Sequence, residues 1–424
     1  MTDDGRNPSG APVAHGERDA GEHGVGAGDA GAGENLSRYV VRPGQLVAGN
    51  QVRLLRCGEE AFPVMLEAIA SARERVSLET YILRADSVGQ RFAQALIERA
   101  RAGVTVRVLY DAIGSLGLSR QYVHNLVESG VQVLEYHPIA PWRVLRRKKD
   151  RETGRRSAFN LRDHRKILVV DHRVAFTGGI NISDDDAPES EGGHGWFDIH
   201  AELHGPVVGD LERLFRRVWV REGGGSFSLP RRSRRQKRKD VTGCRARIID
   251  NRKYNQRRKI RRAYLHAINQ ARESIFIMNA YFLPDPGIRR ALCRAAKRGV
   301  RVRIVVPGRS DIAVVMYASQ YIFGSLLAGG VEMLVWPDRM MHAKTAVIDS
   351  VWSAIGSYNL DNRSLRYNLE VLVEIVDRTF GTRLSAQFEA DARSCEPMTL
   401  KSWRQRPWWQ RALSWVLYRF RRWM

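Results

Sequence analysis

Apolar and polar positions alternate along Val104-Thr105-Val106-Arg107-Val108 and again along Val300-Arg301-Val302-Arg303-Ile304. This is the period-2 pattern of a strand with one covered face. Ahead of each runs an Ala/Arg-rich stretch closed by a glycine, Gly103 or Gly299, which predicts a helix, a stop and then the strand. The echo is wider. Ala68 to Leu78 matches Ala267 to Ile277 at an offset of 199, each a helix end running into a strand, and Gly130-Val131 answers Gly330-Val331 before a further short strand. A long self-similar spacing means two copies of one supersecondary unit. Strand, helix, strand, helix, strand in each copy predicts an α/β fold of two pseudo-symmetric halves, each a mixed sheet flanked by helices.

The same patterning gives boundaries. Residues 1–36 are Gly/Ala/Asp-rich with almost no large apolar side chains, and read as a disordered tail without the apolar middle of a signal peptide. The halves are expected at 37–225 and 241–396. Between them, Gly223-Gly224-Gly225 leads into a basic linker at 226–240, with Arg231, Arg232, Arg234, Arg235, Lys237, Arg238 and Lys239. A second basic run, Arg146 to Arg156, is an inserted loop of the first half and shortens the offset between the halves from there on to 178. Residues 397–424 form the last segment. After Pro407, at about 100° per residue, Trp409, Leu413, Val416, Phe420 and Trp423 share one stripe, with Arg411, Arg421 and Arg422 opposite. That predicts an amphipathic interfacial helix too short to span a bilayer.

Composition adds charge to this outline. The chain of 424 residues carries 69 Lys+Arg against 46 Asp+Glu, a net charge of +23. The first 36 residues hold seven acids against two arginines, so the remainder carries +28. Such a balance points to partners bearing phosphate, either a lipid surface or a nucleic acid backbone. Cys57, Cys244, Cys293 and Cys395 show no paired spacing, which excludes a disulfide framework and a zinc site and suits a reducing compartment. No apolar run approaches the roughly 18 residues of a membrane span.

The chemistry lies in a motif that occurs twice. His164-Arg165-Lys166-Ile167-Leu168-Val169-Val170-Asp171 and His342-Ala343-Lys344-Thr345-Ala346-Val347-Ile348-Asp349 are both H-x-K-x-x-x-x-D. Each is followed by a glycine turn with an asparagine, Gly178-Gly179-Ile180-Asn181 and Gly356-Ser357-Tyr358-Asn359, placed 17 residues beyond its histidine. Residues i and i+2 of a strand share a face, so His164 and Lys166 are expected to project together, as are His342 and Lys344. Asp171, seven positions on, falls on the other face; it and Asp349 are expected to be structural, holding turn or neighbouring backbone donors.

An imidazole, an ammonium and an amide from each half, meeting across a pseudo-twofold axis, can hold a phosphodiester. Lys166 and Lys344 would neutralise the phosphoryl oxygens, and Asn181 and Asn359 would donate hydrogen bonds to them. One histidine attacks phosphorus while the other protonates the leaving oxygen and later deprotonates the incoming alcohol or water. No metal is needed, since lysine is the charge clamp. Each imidazole should have its second nitrogen fixed by an acid. The candidates are Asp198, 34 residues after His164, and Glu370, 28 residues after His342.

The doubled H-x-K-x4-D with its GGxN and GSxN tails resembles the phospholipase D superfamily. Gly58-Glu59-Glu60-Ala61-Phe62-Pro63, Leu78-Glu79-Thr80-Tyr81-Ile82-Leu83 and Asn359-Leu360-Asp361-Asn362-Arg363-Ser364 are similar to stretches of bacterial cardiolipin synthases of the short type, without N-terminal transmembrane helices. The resemblance covers roughly residues 50 to 395. It implies two phospholipase D-like halves sharing one cleft, phosphatidyl transfer through a phosphohistidine, His164 as nucleophile, His342 as acid and base, and no cofactor. Trp336-Pro337-Asp338-Arg339-Met340-Met341, ahead of the second motif, departs from the family's pattern.

The superfamily includes nucleases, and charge alone does not choose between lipid and nucleic acid. The C-terminal helix favours lipid, because five of the ten tryptophans fall in the last 22 residues beside six arginines. The expected partners are therefore phospholipids, with phosphatidylglycerol as acceptor and it or another phosphatidyl lipid as donor, and an anionic membrane surface. Attachment is expected to be peripheral, at the cytoplasmic face of the cell membrane. The alternative is a metal-independent phosphodiesterase or nuclease with water as acceptor.

Overall fold

The computed structural model describes residues 36–138, 160–229, 242–251, 258–337 and 339–422. Residues 1–35 of the expected tail, the inserted run Arg146–Arg156, residues 230–240 of the expected linker, Asp338 and Trp423 lie outside these. The first half runs β1 (Val47–Arg56), α1 (Cys57–Ala70), β2 (Arg75–Thr80), α2 (Ser87–Arg101), β3 (Thr105–Asp111), α3 (Arg120–Glu128) and β4 (Gln132–Tyr136). It continues with β5 (Arg162–Asp163), β6 (Ile167–Val170), β7 (Val174–Gly178), β8 (Ile199–His204) and α4 (Val208–Arg221). The second half runs β9 (Cys244–Asp250), α5 (Lys259–Gln270), β10 (Ser274–Asn279), α6 (Pro286–Lys297), β11 (Arg301–Pro307), α7 (Ala313–Ala328) and β12 (Glu332–Trp336). Then come β13 (Lys344–Ile348), β14 (Trp352–Gly356), α8 (Asn362–Arg366), β15 (Asn368–Leu369), β16 (Val371–Val376) and α9 (Arg378–Ala392), and at the end β17 (Glu396–Met398), α10 (Leu400–Arg404) and α11 (Trp408–Arg419).

The repeated helix-stop-strand units are built by the same local devices. Asp86 caps α2 by accepting from Gly89 N–H, and Asp285 caps α6 from Gly287 N–H with Pro286 at the first turn. Arg99 and Arg101 close α2 and Arg294 and Lys297 close α6, where cations favour the negative end of the helix dipole. Gly103 and Gly299 then turn the chain at φ +85° and +91°, which a residue with a Cβ resists.

One sheet carries both halves, in the order β17-β12-β11-β10-β13-β14-β16-β9-β1-β8-β7-β6-β2-β3-β4. The expectation of one sheet per half is refined at a single junction. β1 pairs antiparallel with β9, Val47 opposite Ala246 and Asn50 opposite Cys244, so an edge that each half would leave bare is satisfied by the other. Within each half the β2–β3–β4 and β10–β11–β12 strands are parallel, and β6 and β13 join antiparallel. Ile167, Val169, Ala201 and Leu203 of the first half lie in one buried cluster with Val347, Ile355, Val373 and Ile375 of the second. Burying each of the Ile, Val and Leu side chains among them is worth about 1.5–3 kcal/mol. The halves are therefore joined by a core.

The tail helix divides the expectation made for it. α11 docks on α7 through buried Ser414, with Leu417 and Tyr418 joining the second half's core cluster and Tyr418 stacked on Tyr321 at 4.4 Å. The opposite side keeps Trp408, Trp409, Trp415, Val416 and Phe420 exposed. Trp403 belongs to the fold: its indole N–H donates to Gln320 O at 2.8 Å, and its ring lies over Gly324, where a Cβ would sit 2.6 Å away.

Candidate active site

β6 starts at Ile167 and β13 at Lys344, so both histidines stand ahead of the strand expected to hold them. The reason is competition for their backbone. His164 N–H donates to Leu369 O at 3.0 Å, and His342 N–H to Phe197 O at 2.7 Å. β5 pairs in parallel with β15, and Phe197 bridges to Met341. Each lead-in thus bonds to the opposite half before its strand joins its own sheet.

That crossing decides which acid each histidine meets. The residue that accepts from His164 N–H precedes Glu370, and the one that accepts from His342 N–H precedes Asp198. His164 Nδ1 is 3.1 Å from Glu370 Oε2, and His342 Nδ1 is 2.8 Å from Asp198 Oδ2. Counting residues within one half had paired them the other way. The acids are correct and their partners are exchanged, because sequence distance does not report the backbone bridge between halves. With Nδ1 engaged, Nε2 is the free nitrogen of each ring.

The lysines close the site. Lys166 Nζ donates to His164 O at 2.8 Å and lies 5.1 Å from the Tyr81 ring centroid; Lys344 Nζ donates to His342 O and stands 3.7 Å from Asp198. Burial, with the charge of Lys344 added, pushes Lys166 down to about 7, and burial lowers Lys344 as well. Burial pushes His164 down to about 4 against the pull of Glu370, and lowers His342. Burial would raise both acids, but His164 and Ser357 hold Glu370 below the usual carboxylate range, and Lys344 and His342 do so for Asp198. Lys344 also weighs on His164 and Lys166 on His342. The two copies of the motif share one electrostatic site.

Asn181 and Asn359 are buried beside it. Asn181 Oδ1 accepts from Ile82 N–H at 3.3 Å, and Asn359 Oδ1 has no partner among the described residues. Asp171 and Asp349 stay away from the rings. Asp171 accepts from the N–H groups of Arg73, Glu74 and Arg75 at 2.7–2.9 Å, and Asp349 from those of Arg272, Glu273 and Ser274 at 2.8 Å. Both sit in hairpin turns at φ near +50°, which Asp tolerates better than most residues. They hold neighbouring backbone donors as expected, but from a turn past the end of each strand and not from its opposite face.

Several residues of the site were not read from the sequence. Tyr81 packs 4.8 Å from His164, and Trp196 and Tyr281 lie 5.5 and 6.0 Å from His342. Met341, in the stretch that departs from the family pattern, supplies the bridge to Phe197, on which Trp336 stacks at 4.3 Å. Asp186 is the least announced. It is 1% exposed, one oxygen accepts from Asn181 N–H at 3.1 Å, and the other has no partner among the described residues. Burial and neighbouring Asp198 push its carboxyl well above the usual range. Its only sequence signal is position: it lies 178 residues before Ser364, which donates to Glu370. Asp186, Asp198 and His342 place ligand atoms within 4.8 Å of one another, and the Lys344 ammonium stands 3.7 Å from Asp198.

A family model described as "Cardiolipin synthase, PLD-like domain" matches residues 65–219 and 264–392. The chain belongs to this family. It is 32% identical over 375 residues to cardiolipin synthase B of Escherichia coli K12, covering 88% of each chain. It is 35% identical over 349 residues to cardiolipin synthase A of Pseudomonas aeruginosa LESB58, covering 81% of this chain and 67% of that one. The solved structure of phosphatidylserine synthase from Haemophilus influenzae Rd KW20 aligns with a TM-score of 0.63 at 14% identity over 88% of this chain and 95% of that chain, a likeness of fold. The family is one of phospholipase D-like phosphatidyltransferases, as the motifs imply, and its model matches both halves of the repeat.

Proposed function

We propose that the chain transfers a phosphatidyl group to phosphatidylglycerol through a covalent phosphohistidine, forming cardiolipin. The observation that carries the reading is the exchanged pairing of each imidazole Nδ1 with the other half's carboxylate, which leaves two free Nε2 atoms to serve one phosphorus. His164 is held neutral by burial and attacks phosphorus from Nε2. The bond from phosphorus to the donor's headgroup oxygen breaks, and that oxygen takes the Nε2 proton of His342, which enters the step as an imidazolium with its Nδ1–H held by Asp198. In the second step His342 removes the proton from the acceptor hydroxyl, whose oxygen bonds to phosphorus as the N–P bond breaks. Lys166, Lys344, Asn181 and Asn359 hold the phosphoryl oxygens, and Glu370 and Asp198 fix the tautomers. With phosphatidylglycerol as both donor and acceptor, the alcohol released is glycerol.

Membrane contact is assigned to the outer side of α11. Its exposed tryptophans and phenylalanine lie among Arg404, Arg411, Arg419 and Arg422, also exposed. Aromatic rings suit the headgroup level, and an anionic leaflet attracts each arginine near it by about 1 kcal/mol. Among the described residues no helix is long and apolar enough to cross a membrane; the reading is of peripheral attachment through α11 to an anionic leaflet such as the cytoplasmic one.

The test is direct. Purified protein with phosphatidylglycerol vesicles in EDTA is expected to yield cardiolipin and glycerol, and His164→Ala to yield neither. Phosphatidic acid without cardiolipin would replace transfer by hydrolysis. Cleavage of single-stranded DNA with inert lipid would overturn the reading.

A further inference from the structure

Strand register aligns the halves residue by residue. Val76 faces Val170 where Ile275 faces Ile348, so β10 follows β2 at an offset of 199. Arg75 faces Thr105 where Ser274 faces Arg301, so β11 follows β3 at 196. Asp111 faces Tyr136 where Pro307 faces Trp336, so β12 follows β4 at 200. On this alignment Tyr81, Tyr110, Asp111 and Glu135 of the first half become Ala280, Val306, Pro307 and Val335 of the second. Four large or charged side chains are replaced by small or apolar ones around the same point of the fold.

The space is used differently as a result. In the first half Tyr81 lies against His164, and Asp111 accepts from the N–H groups of Ile113, Gly114 and Asp163. In the second half a cavity of about 480 Å³, including its part open to solvent, is lined by Ala280, Phe282, Val306, Val315, Met316 and Phe323 among others. Of this, about 70 Å³ is cavity proper, short of the roughly 300–1,000 Å³ of a whole small-ligand site, so the hollow takes a segment of a chain and not a complete ligand. Polar lining groups are engaged elsewhere: Ser319 Oγ donates to Val315 O, Gln320 Oε1 accepts from Arg406, and Ser310 Oγ accepts from Ile312 N–H. They leave little to recognise a headgroup.

Position completes the argument. Ala280 adjoins Tyr281, whose ring is 6.0 Å from His342. The cavity is covered by α7, which carries no charged residue, exposes Val314 and Tyr321, and supports α11. The hollow therefore lies between the neighbourhood of His342 and the helix that supports α11. We propose that it binds a fatty acyl chain of a phospholipid whose phosphate is held at the two histidines. The inference rests on the lipid reading above, and its test separates the two.

Each buried methylene favours the bound state by about fourfold, so filling the hollow should erase a preference for long chains. Val306→Tyr installs the first half's own residue, and Met316→Trp fills the space from α7. The measurement is kcat/KM for dioleoyl against dihexanoyl phosphatidylglycerol, the long lipid in mixed micelles and the short one below its critical concentration. In variants shown folded by thermal melting, the long-to-short ratio is expected to fall by at least ~10-fold, with the short-chain value within about twofold of the parent. If Val306→Tyr does not fold, Met316→Trp decides. An unchanged ratio, or equal losses on both lipids, overturns the proposal. With the unaltered protein, phosphatidylglycerol bearing a diazirine near the acyl terminus should label α7 or β11; labelling confined to the tryptophans of α11 overturns it. Should the protein release alcohol without making cardiolipin, the transfer reading fails while the ratio, read on hydrolysis, still judges the cavity.

Discussion

The two half-sites carry the same histidine, lysine and asparagine but surround their carboxylates differently. Glu370 accepts from His164, from the hydroxyls of Ser357 and Ser364, and from Asn368 Nδ2. At the positions of Ser357 and Ser364 the first half has Gly179 and Asp186. A Cβ at Gly179 would sit 2.2 Å from Asp198 Oδ1, so the shorter acid fits only because that side chain is missing. Asp198 instead faces His342, the Ile199 N–H, the Lys344 ammonium and the buried carboxyl of Asp186. Neutral donors saturate Glu370 and hold one ring in place. Ionisable neighbours surround Asp198, which suits a ring that must give up a proton and take it back. The asymmetry supports His164 as nucleophile and His342 as acid and base.

The histidines break this comparison most sharply. His164→Asn and His342→Asn should each lower turnover by ~10⁴-fold or more, the scale seen when a triad member is lost. They should differ in what accumulates. After acid-free quenching of a reaction with labelled phosphatidylglycerol, His342→Asn should retain label on the protein and His164→Asn should not; the reverse pattern would exchange their roles. Next come the acids. Glu370→Gln and Asp198→Asn should each cost ~10²- to 10⁴-fold in kcat with KM little changed, because each lets its ring turn or adopt the wrong tautomer. A loss of substrate affinity with kcat preserved would show that they bind lipid instead.

Asp186 should matter less and reports the proton-bearing side. If it acts as the neutral donor to Asp198 that Ser364 is to Glu370, Asp186→Asn keeps a donor and should retain kcat within about threefold, whereas Asp186→Ala should lose ~10-fold or more. Equal losses in both would remove the donor role. The pH profile reflects the same burial. His164, pushed down to about 4, stays neutral through the physiological range, so the acid limb of kcat/KM is expected near that value. The acid form of His342, disfavoured by burial, and the charge of Lys166, pushed down to about 7, are both lost as pH rises, so kcat/KM on a soluble substrate should already be declining at pH 7 and fall further above it. A plateau reaching pH 9 would show that the free enzyme keeps Lys166 charged.

Much of this was legible because the chain states it twice. Alternation and glycine stops located the parallel strands, since a half-buried strand must write its period into the sequence. H-x-K-x4-D pointed to the imidazoles and amines, whereas Asp171 and Asp349 stand away from them because each lies in the turn after its strand, which the odd-spacing argument did not foresee. The contacts that cross between halves were not legible. The β1–β9 junction, the bonds from His164 to Leu369 and from His342 to Phe197, and the exchanged acids depend on contacts between residues about 150 to 200 positions apart, for which periodicity carries no signal. Asp186 was missed for a related reason: a lone acid among Asp184, Asp185 and Asp186 reads as a solvated turn.

The smallest effect concerns the two sides of the tail helix, and the structure changes how it must be tested. Removing residues 403–424 would strip Trp403 from Gly324 and Tyr418 from Tyr321, and would uncover α7 as well as remove the exposed rings. Loss of function would then report unfolding as readily as loss of an anchor. Replacing exposed Trp408, Trp409 and Trp415 by serine leaves Ser414, Leu417 and Tyr418 docked. This triple variant should keep its melting temperature and its turnover of a short-chain soluble lipid. Its partitioning onto vesicles rich in phosphatidylglycerol should fall by ~10-fold, with the residual binding more sensitive to salt because arginines alone remain at the surface. A matching variant of the docked side, Leu417→Ser, should do the opposite: a lower melting temperature with the exposed rings untouched. If vesicle binding instead follows Leu417 and ignores the tryptophans, the exposed side of α11 is not the membrane contact.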